Sequence, residues 1–254
     1  MTSIASEIAT IDTREGPMRA IVVRPPGQGP FPAVMTYPHI GGLTNTMRLM
    51  AARVAEGGYV SVVIDLYHRL GTIVIDPEST QENVVAISRI AAASVTDAGA
   101  MQDTAAAFDW FDAQPFIRGP SVGTIGYGRG GSLAVRAAAE FPDRVHAAAS
   151  VLGFGFTKDG VPECRSRLAR IRGGLYCAFA EHDDIISHTV QDELSSSLDG
   201  LTLDAQLVVH PGARHPYVFP DRAVHDAAAA ARDWEAIFAM YARHLGSTAQ
   251  GGAS

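Results

Sequence analysis

Apolar and polar positions alternate over residues 4–25, where Ile4, Ile8 and Ile11 are followed by Ala20-Ile-Val-Val23. A period of two predicts a pair of strands, turning near Glu15-Gly16. Pro25 to Pro30 reads as a loop by its Pro and Gly content, and Pro32 to Tyr37 as a third strand. The period then lengthens. Met47, Met50, Ala51 and Val54 predict a helix over 45–57, stopped by Gly57-Gly58. Tyr59 to Ile64 reads as a buried strand, 70–80 as an irregular excursion, and 81–93 and 98–114 as helices. A short apolar run at Val122 to Ile125 leads into a segment whose Leu133, Ala134, Ala137, Ala138 and Phe141 share a helical face. Beyond it come a strand at Ala147–Leu152, a Gly-rich loop through Pro162 and a strand at Leu175–Ala180. A helix at Thr189–Leu198, a strand at Leu203–Val209 and a long helix over 222–245 complete the pattern. Strands alternating with helices after a β-rich start predict one α/β domain over 1–246, with 247–254 as a flexible tail. Its sheet is expected to be open, mostly parallel and covered on both faces, with ligands beyond the carboxyl ends of the strands.

Composition narrows the function classes. At 254 residues, 47% hydrophobic and 19% charged, the chain is of ordinary globular make-up and long enough for one large core. A formal net charge of −7 argues against nucleic acid or an anionic membrane as partner. No apolar run approaches a membrane span, and the N-terminus lacks the basic and apolar blocks of a secretory leader. Two cysteines, Cys164 and Cys177, fit a reducing cytoplasm better than a disulfide framework. Cys177 reads as a buried hydrophobe and Cys164, in a polar stretch, as exposed. The partner expected is a small-molecule substrate, with the protein a monomer or homodimer. No His/Cys/carboxylate spacing suits a metal, and the Gly-rich stretch at 126–131 lacks the placement of a dinucleotide site, so no cofactor is expected.

The chemistry concentrates at Gly126-Tyr127-Gly128-Arg129-Gly130. Read as strand, turn and helix, it has the outline of a nucleophile elbow, Gly-x-nucleophile-x-Gly, in which the middle residue tips a strained turn. Here the middle residue is Gly128, which has no side chain. Other polar clusters fall at predicted strand ends: Pro38-His39-Ile40, Asp65 to Arg69, Glu181 to Asp184, and His210 to His215.

These pieces together resemble the dienelactone hydrolase family of α/β-hydrolases over about residues 15–245. Gly123-Thr-Ile-Gly-Tyr-Gly-Arg-Gly-Gly stands where the family has Gly-Tyr-Cys-x-Gly-Gly. Asp65-Leu-Tyr67, Phe141-Pro-Asp-Arg-Val145, Ala180-Glu-His-Asp183 and His210-Pro-Gly-Ala-Arg-His215-Pro-Tyr217 match further motifs in order. The resemblance implies the α/β-hydrolase fold, with Asp183 as acid and His215 as base, and Asp184 as the alternative acid one residue on. Backbone N–H groups of Ile40 and Arg129 would form the oxyanion hole, which needs no particular side chain. His39, Tyr67, His68 and Tyr127 are expected to line the substrate pocket. His39 stands where studied members carry a glutamate, and the substrate-carboxylate arginines of the family have no clear counterpart, Arg129 and Arg214 being the candidates.

With Gly128 at the tip, an acyl-enzyme is closed off. Three alternatives follow. His215 and Asp183 serve as a general base, with the hole holding an enolate or alkoxide, in elimination, isomerisation, cyclisation or C–C bond chemistry. Or His215 activates water for direct lactone or ester hydrolysis. Or the nucleophile of a hydrolase has been lost or deliberately replaced, and the protein binds ligand without turnover.

Overall fold

The structure, a computed structural model, describes residues 5–76 and 79–246; the tail at 247–254 lies outside the described residues. Eight strands form one sheet in the order β1-β2-β4-β3-β5-β6-β7-β8. The two N-terminal strands, β1 (Ala5–Thr13) and β2 (Gly16–Arg24), make the expected hairpin, with Thr13 opposite Gly16. β2 pairs antiparallel with β4 (Val60–Ile64). From β4 through β3 (Phe31–Tyr37), β5 (Ile117–Tyr127), β6 (Val145–Val151), β7 (Gly174–His182) and β8 (Asp204–Arg214) every pairing is parallel. Strands covered on both faces need apolar residues at nearly every position. All five residues of β4 and the last six of β3 and β5 are buried.

The helices follow from their caps and apolar stripes. Thr44 caps α1 (Asn45–Glu56) by accepting from Met47 N at 3.3 Å, and Met47, Met50, Ala51 and Val54 are buried. α7 (Ala227–Leu245) packs beside it: Arg53 lies over the Trp234 and Phe238 rings, and Tyr59 meets Tyr241 edge-on. Tyr241 Oη donates to Thr124 O at 2.8 Å and fastens α7 to β5. The other layer holds α3 (Asp97–Asp112), α4 (Arg129–Glu140), α5 (Val161–Leu168) and α6 (His188–Leu198), preceded by α2 (Glu82–Ser94), on which only Ala91 is buried. No single described helix is long and apolar enough to cross a membrane.

Three expectations need correction. The stretch read as a loop through Pro162 contains α5; only Cys164 and Leu168 are buried on it, too few apolar positions to give a period. Pro162 is there a helix opener, not a loop marker. For the same reason Cys164 is buried, not exposed. The last helix begins at Ala227, not 222, because Asp226 accepts from Ala228 N and Ala229 N and forms its cap. Residues before it turn back on Tyr217, whose carbonyl accepts from Asp226 N.

Candidate active site

β5 runs directly into α4 through the elbow. At the tip, Gly128 has φ 57° and ψ −125°, backbone that side-chain-bearing residues adopt only under strain. On either side the chains nearly touch. A Cβ on Gly126 would come within 2.0 Å of Gly130 O, and one on Gly130 within 2.4 Å of Tyr37 O. Those two glycines are therefore required by close approach. A Cβ at Gly128 would meet nothing nearer than Phe154 Cε1, at 3.5 Å. The space where a nucleophile would stand is open.

Two strands along, the ends of β7 and β8 bring together Asp183 and His215, the residues expected as acid and base. Asp183 Oδ2 lies 2.8 Å from His215 Nδ1, and Asp183 Oδ1 accepts from Ile185 N at 2.9 Å and Ile186 N at 2.8 Å. Burial works to raise the Asp183 carboxyl, but the His215 bond and the two N–H donors outweigh it, so its pKa lies below the usual value. An ionised Asp183 makes His215 Nδ1 the donor and leaves Nε2 as the proton acceptor. Asp184 is exposed, so of the two aspartates Asp183 faces the imidazole.

Arg129 opens α4, and its N–H is among the first-turn donors that lack an intrahelical acceptor. Its side chain has other work. The guanidinium donates to Ser132 Oγ at 2.6 Å and pairs with Asp97, on which Arg136 (2.5 Å) and Lys158 (2.7 Å) also converge. Against the effect of burial, hydrogen bonds from Lys158 and Arg129 pull Asp97 down to about 2.

Opposite the elbow, the Pro38–Gly42 turn is tied down from within. His39 Nδ1 accepts from Gly41 N at 2.8 Å, which places the ring proton on Nε2, 3.3 Å from Thr44 Oγ1. Burial, with the Arg222 charge second, lowers His39 to about 4. Both ring nitrogens thus serve the turn, and His39 borders the cleft as a neutral wall. Tyr67 Oη donates to Ile40 O at 2.8 Å, and burial followed by the Asp65 charge raises the phenol to about 12. Tyr67 fixes the backbone that carries the Ile40 N–H. Between the turn and the elbow lies a cleft of about 250 Å³, bordered by both residues and by Ile40, Leu66, Arg129 and Phe154.

Two expected pocket residues are elsewhere. The side chain of His68 is buried against α3, with Nε2 3.2 Å from Asp103 Oδ1, in a cluster that Arg69 completes through both Asp103 oxygens. The 3-10 turn at His68–Leu70 rotates it away from the cleft. Tyr127, on β5, points into the core: it is 1% exposed and its ring centroid lies 5.4 Å from that of Phe219. Strand alternation sends the residue before the tip inward. His210 likewise is buried on β8, not at the site, because that strand continues to Arg214. Residues the pattern did not single out include Phe154 and the Ala92–Val95 end of α2, which closes the cleft. Leu152, at φ 55°, turns the loop that delivers Phe154 to the elbow. Only the glycines flanking Phe154 hinted at a sharp turn there.

Comparison with known proteins agrees with this architecture. A relative from Synechocystis sp., provisionally named carboxymethylenebutenolidase, is 25% identical over 245 residues, 95% of this chain and 98% of that one. The carboxymethylenebutenolidase of Pseudomonas putida is 31% identical over 165 residues, 63% of this chain and 67% of that one. A crystal structure from Klebsiella pneumoniae, provisionally titled a dienelactone hydrolase, superposes with a TM-score of 0.81 at 22% identity, covering 96% of this chain and 100% of that one. The model of the dienelactone hydrolase family matches residues 18–245. With the sheet order, the strand–elbow–helix unit and this match spanning nearly the whole chain, the protein belongs to the dienelactone hydrolase family and is an enzyme of α/β-hydrolase fold.

Proposed function

We propose that the enzyme acts on a small carbonyl compound by general-base chemistry, without a covalent intermediate. His215 Nε2, with Nδ1 held by Asp183 at 2.8 Å, takes a proton from the carbon beside the carbonyl. The oxygen that gains charge is held by the N–H groups of Ile40 and Arg129, and the positive end of α4 adds to their pull. The enolate then takes the proton back at another position, expels a leaving group or attacks a second carbon, giving isomerisation, elimination or C–C bond chemistry. The observation that carries this reading is the open elbow tip: an ordered acid–base pair stands at the same sheet edge as a turn whose tip residue supplies no nucleophile. A positioned base is worth about 10²–10⁴-fold and a hole donor about 10²–10³-fold, enough for useful turnover.

A second reading is favoured by the hydrolase relatives: His215 activates a water lodged above Gly128, which attacks a lactone or ester directly. One experiment separates the two. Small lactones and β-keto esters are incubated in D2O and followed by NMR. Deuterium entering the carbon beside the carbonyl, faster than ring opening, is the expected result. Ring opening with no such exchange favours the water route. In either case His215→Ala is expected to lower the rate by about 10²–10⁴-fold; an undiminished rate removes His215 from the mechanism.

A further inference from the structure

We infer that the cleft accepts a neutral carbonyl compound with a short apolar arm and turns away one that carries a carboxylate. This rests on the reading of the Gly128–His215 region as the reaction site, and adds the class of substrate. The cleft of about 250 Å³ is walled by Pro38, Ile40, Leu66, Ala92, Val95 and Phe154, with the Tyr67 ring alongside. Ile40 and Phe154, 39% and 36% exposed, both border this one cleft, where they are placed to cover an apolar ligand. Among its walls Arg129 is the sole cationic side chain, and its guanidinium is engaged by Asp97 and Ser132. Asp97 in turn is held in place by Arg136 and Lys158. Turning Arg129 towards a ligand would strip Asp97 of one partner. His39 is a neutral wall whose Nδ1 accepts a backbone proton. Arg222, the other cation near His39, is not among the cleft walls and lies 3.8 Å from Asp221 Oδ1 and 3.9 Å from Asp76 Oδ1. Tyr67 Oη donates to Ile40 O. With the Ile40 and Arg129 N–H groups taken by the carbonyl oxygen, a carboxylate on the arm loses water and meets no free cationic side chain among the walls. That is costly, whereas an alkyl or alkenyl arm gains by burial.

The test compares two lactones of similar size, γ-caprolactone and (5-oxotetrahydrofuran-2-yl)acetate, titrated into the full-length protein by calorimetry at neutral pH. The neutral lactone is expected to bind at least about tenfold more tightly, the minimum that an uncompensated buried charge implies. Val95→Arg places a free cation on the half-buried end of α2 and should raise affinity for the acid about tenfold or more while weakening the neutral lactone. Circular dichroism verifies that this variant is folded. Equal or tighter binding of the acid to the unaltered protein overturns the inference, as does binding of neither lactone. Failure of the general-base reading is distinguishable, since it shows as deuterium exchange indifferent to His215→Ala and leaves the affinity ratio untouched.

Discussion

Gly128 combines two properties that separate under substitution: backbone strain for any other residue, and free space for a side chain. With φ at 57° and ψ at −125°, Gly128→Ala is expected to cost about 1–3 kcal/mol in urea unfolding. Gly128→Cys should cost the same, because the added atoms have room beside Phe154. It should also gain a burst of p-nitrophenol from p-nitrophenyl acetate that Gly128→Ala lacks; a folded Cys variant without the burst places the tip out of reach of His215. His39 gives a pH signature of its own. Its folded pKa of about 4 lies below the ordinary value of 6.5, so on acidification the unfolded chain takes the proton first. Stability therefore falls as pH drops from 6.5 towards 4, by up to about 3 kcal/mol. His39→Asn keeps an acceptor for Gly41 N and should flatten that slope, measured by urea midpoints across the window. Asp183, also depressed, acts in a separate range, its contribution being lost only as pH falls below the ordinary carboxylate value.

Between elements, the clamp at Asp97 matters most. Asp97 opens α3, Arg129 and Arg136 lie on α4, and Lys158 on the loop before α5, so one carboxylate joins three segments behind the cleft. Asp97→Ala leaves three cations together. A loss of about 1.5–3 kcal/mol is expected, partly recovered at high salt, by thermal unfolding at two ionic strengths. The same variant releases the Arg129 guanidinium, so affinity for the acidic lactone should rise. Helices with several spaced apolar residues, such as α1 with Met47, Met50 and Val54, were readable along the chain. α5 was not, because two buried residues in eight carry no period. The start of α7 was masked by a cap at Asp226 that only the turn around Tyr217 makes necessary.

Across the whole molecule, Asp233 of α7 is the anchor for the His215 loop. It is 1% exposed and accepts from Tyr176 Oη of β7 at 2.7 Å and Tyr217 Oη at 2.6 Å, with His210 Nε2 of β8 at 2.5 Å. Tyr217 lies two residues beyond His215, so this buried cluster locates the loop carrying the imidazole. Asp233→Ala strands three buried polar groups and should cost about 3–5 kcal/mol, read as a large fall in Tm. Asp233→Asn retains an acceptor and should lose less. If both variants unfold at the unaltered temperature, the cluster has no structural weight.

The order of the strands and of every α-helix but α5, the turn at 126–130 and the meeting of Asp183 with His215 were legible in the chain. Each rests on a local signal: a period, a glycine demanded by close approach, or a motif at a strand end. Which way a side chain faces is set by neighbours distant in sequence. His68 turned to Asp103, Tyr127 turned inward against Phe219, and the Arg129 guanidinium spent itself on Asp97. A local pattern records what a segment can become; the partner that satisfies a buried charge or hydrogen bond exists only once the chain has folded.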